Sequence, residues 1–414
     1  MNKSVHLEEV VLSQRERFAA RDPGVPRQVE FERHLEHGQV VVVSGVRRSG
    51  KSTLLRQIAG RCDDHHFIDF DDERLIDFTT ADFADLMVIF AKLSPARTIL
   101  IDEIQNVAGW ERFVRRIHDE GYKVCLTGSN AKLLSSELAT HLTGRHAKIE
   151  LYPFSFAETL AFKGVAHDRI SASVKARLLG ELDLYIAHGG FPEYLRYGDE
   201  EFLKRTFDDI VYRDIVQRFG VRDVKAFRQV AHTIFSNVTS ELSYNAMASM
   251  VGLKSAMTVR NYCGYLEESY LIFELFRYDY SVKRQNLSNK KMYVVDNGMR
   301  NVSAFRFSGD LGKLLENLVF VELKRRGKRL FFHRDKHECD FLLEERGGIA
   351  EALQVCHALD AVNIERERRG LAEAMRKFSL RSGTIVTYSQ EETEETAEGT
   401  VRVVPAFKWL LGKE

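Results

Sequence analysis

The run Gly45-Val46-Arg47-Arg48-Ser49-Gly50-Lys51-Ser52-Thr53 constrains this chain more than any other stretch. It follows Val40-Val41-Val42-Val43, an apolar β-branched run that reads as a buried parallel strand. It precedes Leu54-Leu55-Arg56-Gln57-Ile58-Ala59, a helical pattern without a breaker. Strand, glycine loop and helix are what a phosphate-binding site requires. Gly45 and Gly50 permit a tight path whose N–H groups face phosphate oxygens, and the helix N-terminus adds partial positive charge. Lys51 is placed to reach β- and γ-phosphates, and the Ser52 hydroxyl to ligate Mg²⁺.

The second half of such a site is expected at Thr98-Ile99-Leu100-Ile101-Asp102-Glu103, an apolar strand ending in two acids. Asp102 would hold the Mg²⁺ shell, and Glu103 would orient and deprotonate an attacking water. A third strand is read at Lys123-Val124-Cys125-Leu126-Thr127-Gly128-Ser129-Asn130. There Asn130 is the candidate for the γ-phosphate, with Ser129 as alternate donor; the plain alternative is a cap on the helix that follows. Arg145, after that helix, is the candidate arginine finger for a neighbouring subunit's γ-phosphate, against a plain surface arginine.

A chain of 414 residues exceeds one ordinary core and suits two to four domains. Lys+Arg and Asp+Glu are both 60, so no global basic field points to nucleic acid. The five cysteines are scattered without a Cys-x-x-Cys pair, and no apolar run has transmembrane length. The expectation is a reduced, cytoplasmic protein without membrane attachment.

The loop, Phe70-Asp71-Asp72-Glu73-Arg74-Leu75, Ile101-Asp102-Glu103-Ile104-Gln105 and Leu126-Thr127-Gly128-Ser129-Asn130 together resemble the prokaryotic AAA-type ATPases that carry a C-terminal domain of unknown function. Thr143-Gly144-Arg145, Leu151-Tyr152-Pro153-Phe154-Ser155-Phe156-Ala157-Glu158, Gly189-Gly190-Phe191-Pro192-Glu193 and Trp409-Leu410-Leu411 extend the likeness over nearly the whole chain. The resemblance implies an α/β protein. Its parts would be a P-loop ATPase core (1–151), a helical lid (152–224), a winged-helix segment (225–300) and a restriction-endonuclease-like α/β domain (301–414). It also implies ATP as the nucleotide.

Within 225–300, the stretch Ser255–Tyr262 occupies the place of a recognition helix, and Lys254, Arg260, Lys283, Arg284, Lys290 and Lys291 are candidates for phosphate contact. Solvated charge explains them equally. In the last domain, nuclease chemistry needs an Asp, a Glu-x-Lys and a helix Glu. Glu316 and Asp340 match, but Gln354 and Cys356 replace the second acid and the lysine, so the expected site is degenerate. The sequence thus predicts Mg²⁺-dependent ATP hydrolysis by a homo-oligomer acting on or with DNA. A nucleotide-gated protein-binding switch and, more weakly, an ATP-regulated nuclease stand as alternatives.

Overall fold

The computed structural model describes residues 3–129, 144–304 and 311–413. The chain divides into two compact units, Met1–Tyr152 and Pro153–Glu414. The three segments expected beyond residue 151 share the second unit, apart from Tyr152.

The first unit is built on five parallel strands: β1 (Val40–Ser44), β2 (His66–Asp69), β3 (Thr98–Asp102), β4 (Lys123–Gly128) and β5 (His146–Glu150), in the order β2-β3-β4-β1-β5. Every residue of β1 is buried. Val40 and Val42 enter one core with Ile99, Ile101, Leu126 and Phe83. Val41 and Val43 enter the other with Leu100, Cys125, Leu54 and Ile58. The two-residue period of a strand sends alternate valines to opposite faces, and cover on both faces explains why the run is apolar throughout. Because β4 lies between β1 and β3, the strand ending in Asp102 does not pair with the strand that feeds the glycine loop.

The second unit opens with helices alone: Phe156–Phe162, Ala172–His188, Pro192–Tyr197 and Glu200–Asp209, the last continued by a π-helical stretch, Ile210–Gln217. Next come helix Val224–Ser236, β6 (Glu241–Leu242), helices Tyr244–Met250 and Ala256–Glu268, β7 (Ile272–Phe276) and β8 (Lys290–Val294). Their antiparallel sheet runs β6-β8-β7. A short helix, Val282–Leu287, joins β7 to β8 where the sequence suggests only a wing loop. The chain ends in a six-stranded mixed sheet, β13-β14-β12-β11-β10-β9. Its strands are β9 (Arg329–Arg334), β10 (Glu338–Glu345), β11 (Gly348–Val355), β12 (Ser382–Thr387), β13 (Glu392–Thr396) and β14 (Gly399–Pro405). Helices Leu311–Arg325 and Ile364–Phe378 belong to the same part of the chain. The β13–β14 hairpin is absent from the sequence reading because Glu392-Thr393-Glu394-Glu395-Thr396 has no apolar face; it is a charged, exposed edge strand.

The Gly-Gly-Phe-Pro turn does more than join two helices. Gly190 N donates to Asp296 Oδ2 at 2.8 Å, and Phe154 N donates to Gly190 O at 2.7 Å. A Cβ on Gly190 would lie 2.1 Å from Phe154 O, so only glycine fits. Asp296 Oδ1 also accepts from Met299 N, capping helix Asn297–Ser303. One buried carboxylate therefore joins two segments more than a hundred residues apart. Burial pushes it up to about 6, against the pull of the N–H groups of Gly190, Met299 and Gly298.

That shift has a definite sign. The folded chain keeps the Asp296 proton above pH 3.8, where the unfolded chain loses it, so this group's contribution to stability falls as pH rises from about 4 to about 6. Two pKa units correspond to about 3 kcal/mol. Asp296→Asn removes this slope, whatever constant cost its amide imposes at Gly190 N–H. Urea unfolding of both proteins from pH 4.5 to 7 should show the wild type losing ground to the variant; a constant difference would refute the assignment.

Candidate nucleotide site

The loop is shaped by contacts that leave no room for side chains. Gly45 has φ +157°, and a Cβ there would sit 2.0 Å from Leu151 O, just beyond β5. Gly50 has φ 97° and opens helix Lys51–Ala59 with no side-chain cap, leaving the first helical N–H groups as unspent donors. Ser49 is buried, and its Oγ has no hydrogen-bond partner among the described residues. Lys51 Nζ donates to Gly45 O and Val46 O, each at 3.2 Å, and lies 4.0 Å from Glu103 Oε1. Behind the loop, the buried Arg27 guanidinium donates to Ser49 O at 2.7 Å and Tyr152 O at 2.6 Å. Arg27 N donates to Gln57 Oε1 at 3.0 Å. A single arginine thus ties the loop to the segment after β5 and to the loop's own helix.

The carboxylates stand at the carboxyl end of β3. Asp102 is buried and hydrogen-bonds the Ser52 hydroxyl. Thr127, on the intervening β4, donates its Oγ1 proton to Asp102 Oδ1 and accepts from Glu103 N at 3.1 Å. Burial first, then the neighbouring Glu103 charge, pushes the Asp102 carboxyl above its ordinary range; Ser52, Thr127 and Lys51 pull it back. Glu103 adopts a left-handed backbone, φ 50° and ψ 44°, an uncommon state for a residue with a side chain. Gln105 Nε2 donates to Glu103 Oε2. Asp69, opposite Asp102 in the β2–β3 register, is pushed up to about 7 by burial and then by the Asp102 charge. A cavity of about 210 Å³ borders this group, lined by Gln14, Arg17, Ser52, Arg56, Asp69 and Asp102.

Lys51, Ser52, Asp102 and Glu103 therefore come together, although one strand, β4, separates their origins in the sheet. Of the remaining loop residues, Val46 is buried, Arg48 has φ 67°, and Thr53 Oγ1 accepts from Arg56 at 3.0 Å. Arg47 is half-buried. Asn130 lies outside the described residues, and Ser129 is the last residue described before it. Arg145 is not brought to this group. Its carbonyl accepts from Val40 N at the opposite end of β1, about 16 Å of strand from the loop. Its exposed guanidinium pairs with Asp119 at 2.6 Å. The sequence reading gives Arg27, Thr127, Gln105 and Asp69 no role. Thr127 carried a signal there, a lone hydroxyl in an apolar strand; Arg27 carried none.

Residues 37–160 match the model of an AAA domain, and residues 179–309 match that of a domain of unknown function. An uncharacterized protein of Methanocaldococcus jannaschii is 37% identical over 435 residues, covering 99% of this chain and 96% of its own. An uncharacterized protein of Haemophilus influenzae is 32% identical over 394 residues, covering 90% of this chain and 94% of its own. Among solved structures, a replication initiator DnaA bound to AMPPCP and single-stranded DNA is 16% identical with TM-score 0.27, over 57% of this chain and 86% of that one. Cdc6p from Pyrobaculum aerophilum is 12% identical with TM-score 0.26, over 73% and 97%. Likeness at those TM-scores carries no argument. The AAA domain on a parallel sheet and the near full-length relatives do: the chain belongs to the AAA-type P-loop ATPase family, with a domain of unknown function in its second unit.

Proposed function

We propose that this protein binds ATP with Mg²⁺ and hydrolyses it to ADP and phosphate. The observation that carries the reading is the convergence of Lys51, Ser52, Asp102 and Glu103 on an uncapped helix N-terminus. The fit to a polyphosphate is specific. The helix N–H groups and the Ser49 hydroxyl are donors in want of acceptors, and Lys51 spends its donors on loop carbonyls. Ser52 and Asp102 offer the paired oxygens that Mg²⁺ prefers, and the ion would supply neutralisation of phosphate charge.

In this reading the loop residues Gly45 to Thr53 bind the phosphates and Lys51 neutralises their outer charge. Glu103 takes the proton of the attacking water. Its left-handed backbone and the Gln105 amide aim the carboxylate, and Thr127 fixes Asp102 and Glu103 against one another. Asn130 positions the water, and Arg145, remote from its own loop, serves a neighbouring copy. ATP rather than another nucleotide rests on the family.

The segment from Val224 to Val294 follows the order of a winged helix, and we propose it as the contact to DNA. Lys254, Arg260, Lys283 and Arg284 are exposed there. Lys290 and Lys291, expected as phosphate contacts, are buried: Lys290 Nζ donates to Asn286 O and Ser288 O, and Lys291 faces carboxylates. A second reading, a nucleotide-gated protein contact, is favoured by the exposed Met250, Met257, Val282 and Leu287 of the same segment.

Steady-state ATP hydrolysis across protein concentrations, with and without duplex and single-stranded DNA, tests these readings. Turnover should rise with protein concentration and with DNA. Turnover indifferent to DNA would favour the protein contact. Glu103→Gln should lower turnover by about 10² to 10⁴-fold and leave ATP binding intact; full residual turnover sinks the base assignment.

Arg145→Ala should be nearly inactive alone, yet recover part of its turnover when mixed with Glu103→Gln, because the Glu103→Gln copy lends its Arg145 to a neighbouring site whose Glu103 is intact. No recovery on mixing would count against action in trans. Arg27→Met should weaken nucleotide affinity about tenfold, corresponding to about 1.4 kcal/mol, because the loop loses its tether. Unchanged affinity in a fluorescent-nucleotide titration would show that Arg27 only packs.

A further inference from the structure

Three carboxylates of the second unit converge on one lysine. Glu316 comes from helix Leu311–Arg325, and Glu338 and Asp340 come from β10. They lie 3.1, 2.6 and 2.9 Å from Lys291 Nζ, which reaches them from β8 of the three-stranded sheet. Lys291 is 2% exposed, Asp340 5% and Glu316 8%. Each carboxylate has one further partner. Tyr293 OH donates to Glu316 Oε1 at 2.7 Å, and Val355 N donates to Asp340 Oδ2 at 3.0 Å. Arg334 lies 3.5 Å from Glu338 Oε2. Burial works against the lysine's charge, but Asp340, Glu316, Tyr293 and Glu338 outweigh it and hold the ammonium well above its ordinary range.

The two positions where the nuclease pattern fails point the same way. Gln354 is turned into a closed circuit: its Nε2 donates to Glu367 Oε2 at 2.6 Å, and its Oε1 accepts from Asp340 N at 3.2 Å. Cys356 is buried, and burial pushes its thiol up to about 12. An ammonium has three donors and no acceptor, which matches three converging carboxylates. A divalent ion wants the same oxygens. Both cations cannot take one buried seat.

We propose that Lys291 is the resident cation of this site. Its ammonium fills the place between Glu316, Glu338 and Asp340 that a divalent ion would take, so the terminal domain binds no metal there and cuts no phosphodiester.

The test counts Mn²⁺ bound to the full chain, without nucleotide, by equilibrium dialysis. Wild type and Asp340→Asn should bind the same number of ions. Lys291→Ala should bind one more per chain, and adding Asp340→Asn to it should remove that ion. Should Lys291→Ala not fold, Lys291→Thr takes its place, because a β-branched residue suits β8 and leaves the seat between the carboxylates empty. Two results overturn the proposal. One is Mn²⁺ binding or Mn²⁺-dependent plasmid nicking by the wild type that Asp340→Asn abolishes, which would make Lys291 a partner of a metal. The other is a folded Lys291 variant that gains no ion.

Discussion

The first unit depends on burying both faces of one five-residue strand. Val40–Val43 lock β1 between two apolar cores, and that lock fixes where the chain must turn after Ser44. The loop is then held at three points: against Leu151 O through the bare Gly45, at Ser49 O through Arg27, and by its own helix. A phosphate-binding loop carries many unspent donors and gains little from its own hydrogen bonds, so its shape has to be imposed from outside. The valine strand and the arginine impose it.

The strand inserted between β1 and β3 has a chemical consequence as well as a topological one. It brings Thr127 between the two halves of the site, where one hydroxyl donates to Asp102 and accepts from the Glu103 backbone. Two neighbouring carboxylates at the end of a buried strand repel, and burial raises the cost of charging them. The hydroxyl that donates to Asp102, with Lys51 4.0 Å from Glu103, offsets part of that cost before any ligand arrives. Glu103 also leaves the strand through a left-handed turn.

What the sequence made legible follows from what has a period or a motif. The valine run, the glycine loop and the acid-ended strand are local patterns, and all three lie where local reasoning puts them. Arg27 was illegible because its partners are carbonyl oxygens of Ser49 and Tyr152, and any residue supplies a carbonyl. Lys291 was misread for a related reason. In sequence it is one basic residue beside another, and only the fold reveals Glu316, Glu338 and Asp340 around it. β13 was missed because an edge strand made only of Glu and Thr carries no apolar signal.

The two units handle buried charge in opposite ways, and the contrast bears on which of them does chemistry. Around the loop, the Ser49 hydroxyl and the helix N–H groups are left wanting, and Asp102 is held above its ordinary range by burial. Such a site is costly alone and cheaper with a charged ligand, which is the signature of a place built to bind. In the terminal domain Glu316, Glu338 and Asp340 already share an ammonium, and Gln354 is closed onto Glu367. Breaking one member of a buried ion cluster leaves an uncompensated charge and costs far more than the cluster contributes, so the arrangement resists change even where it performs no reaction. A set of acids in nuclease-like order is therefore compatible with a purely structural role once its cation is part of the chain.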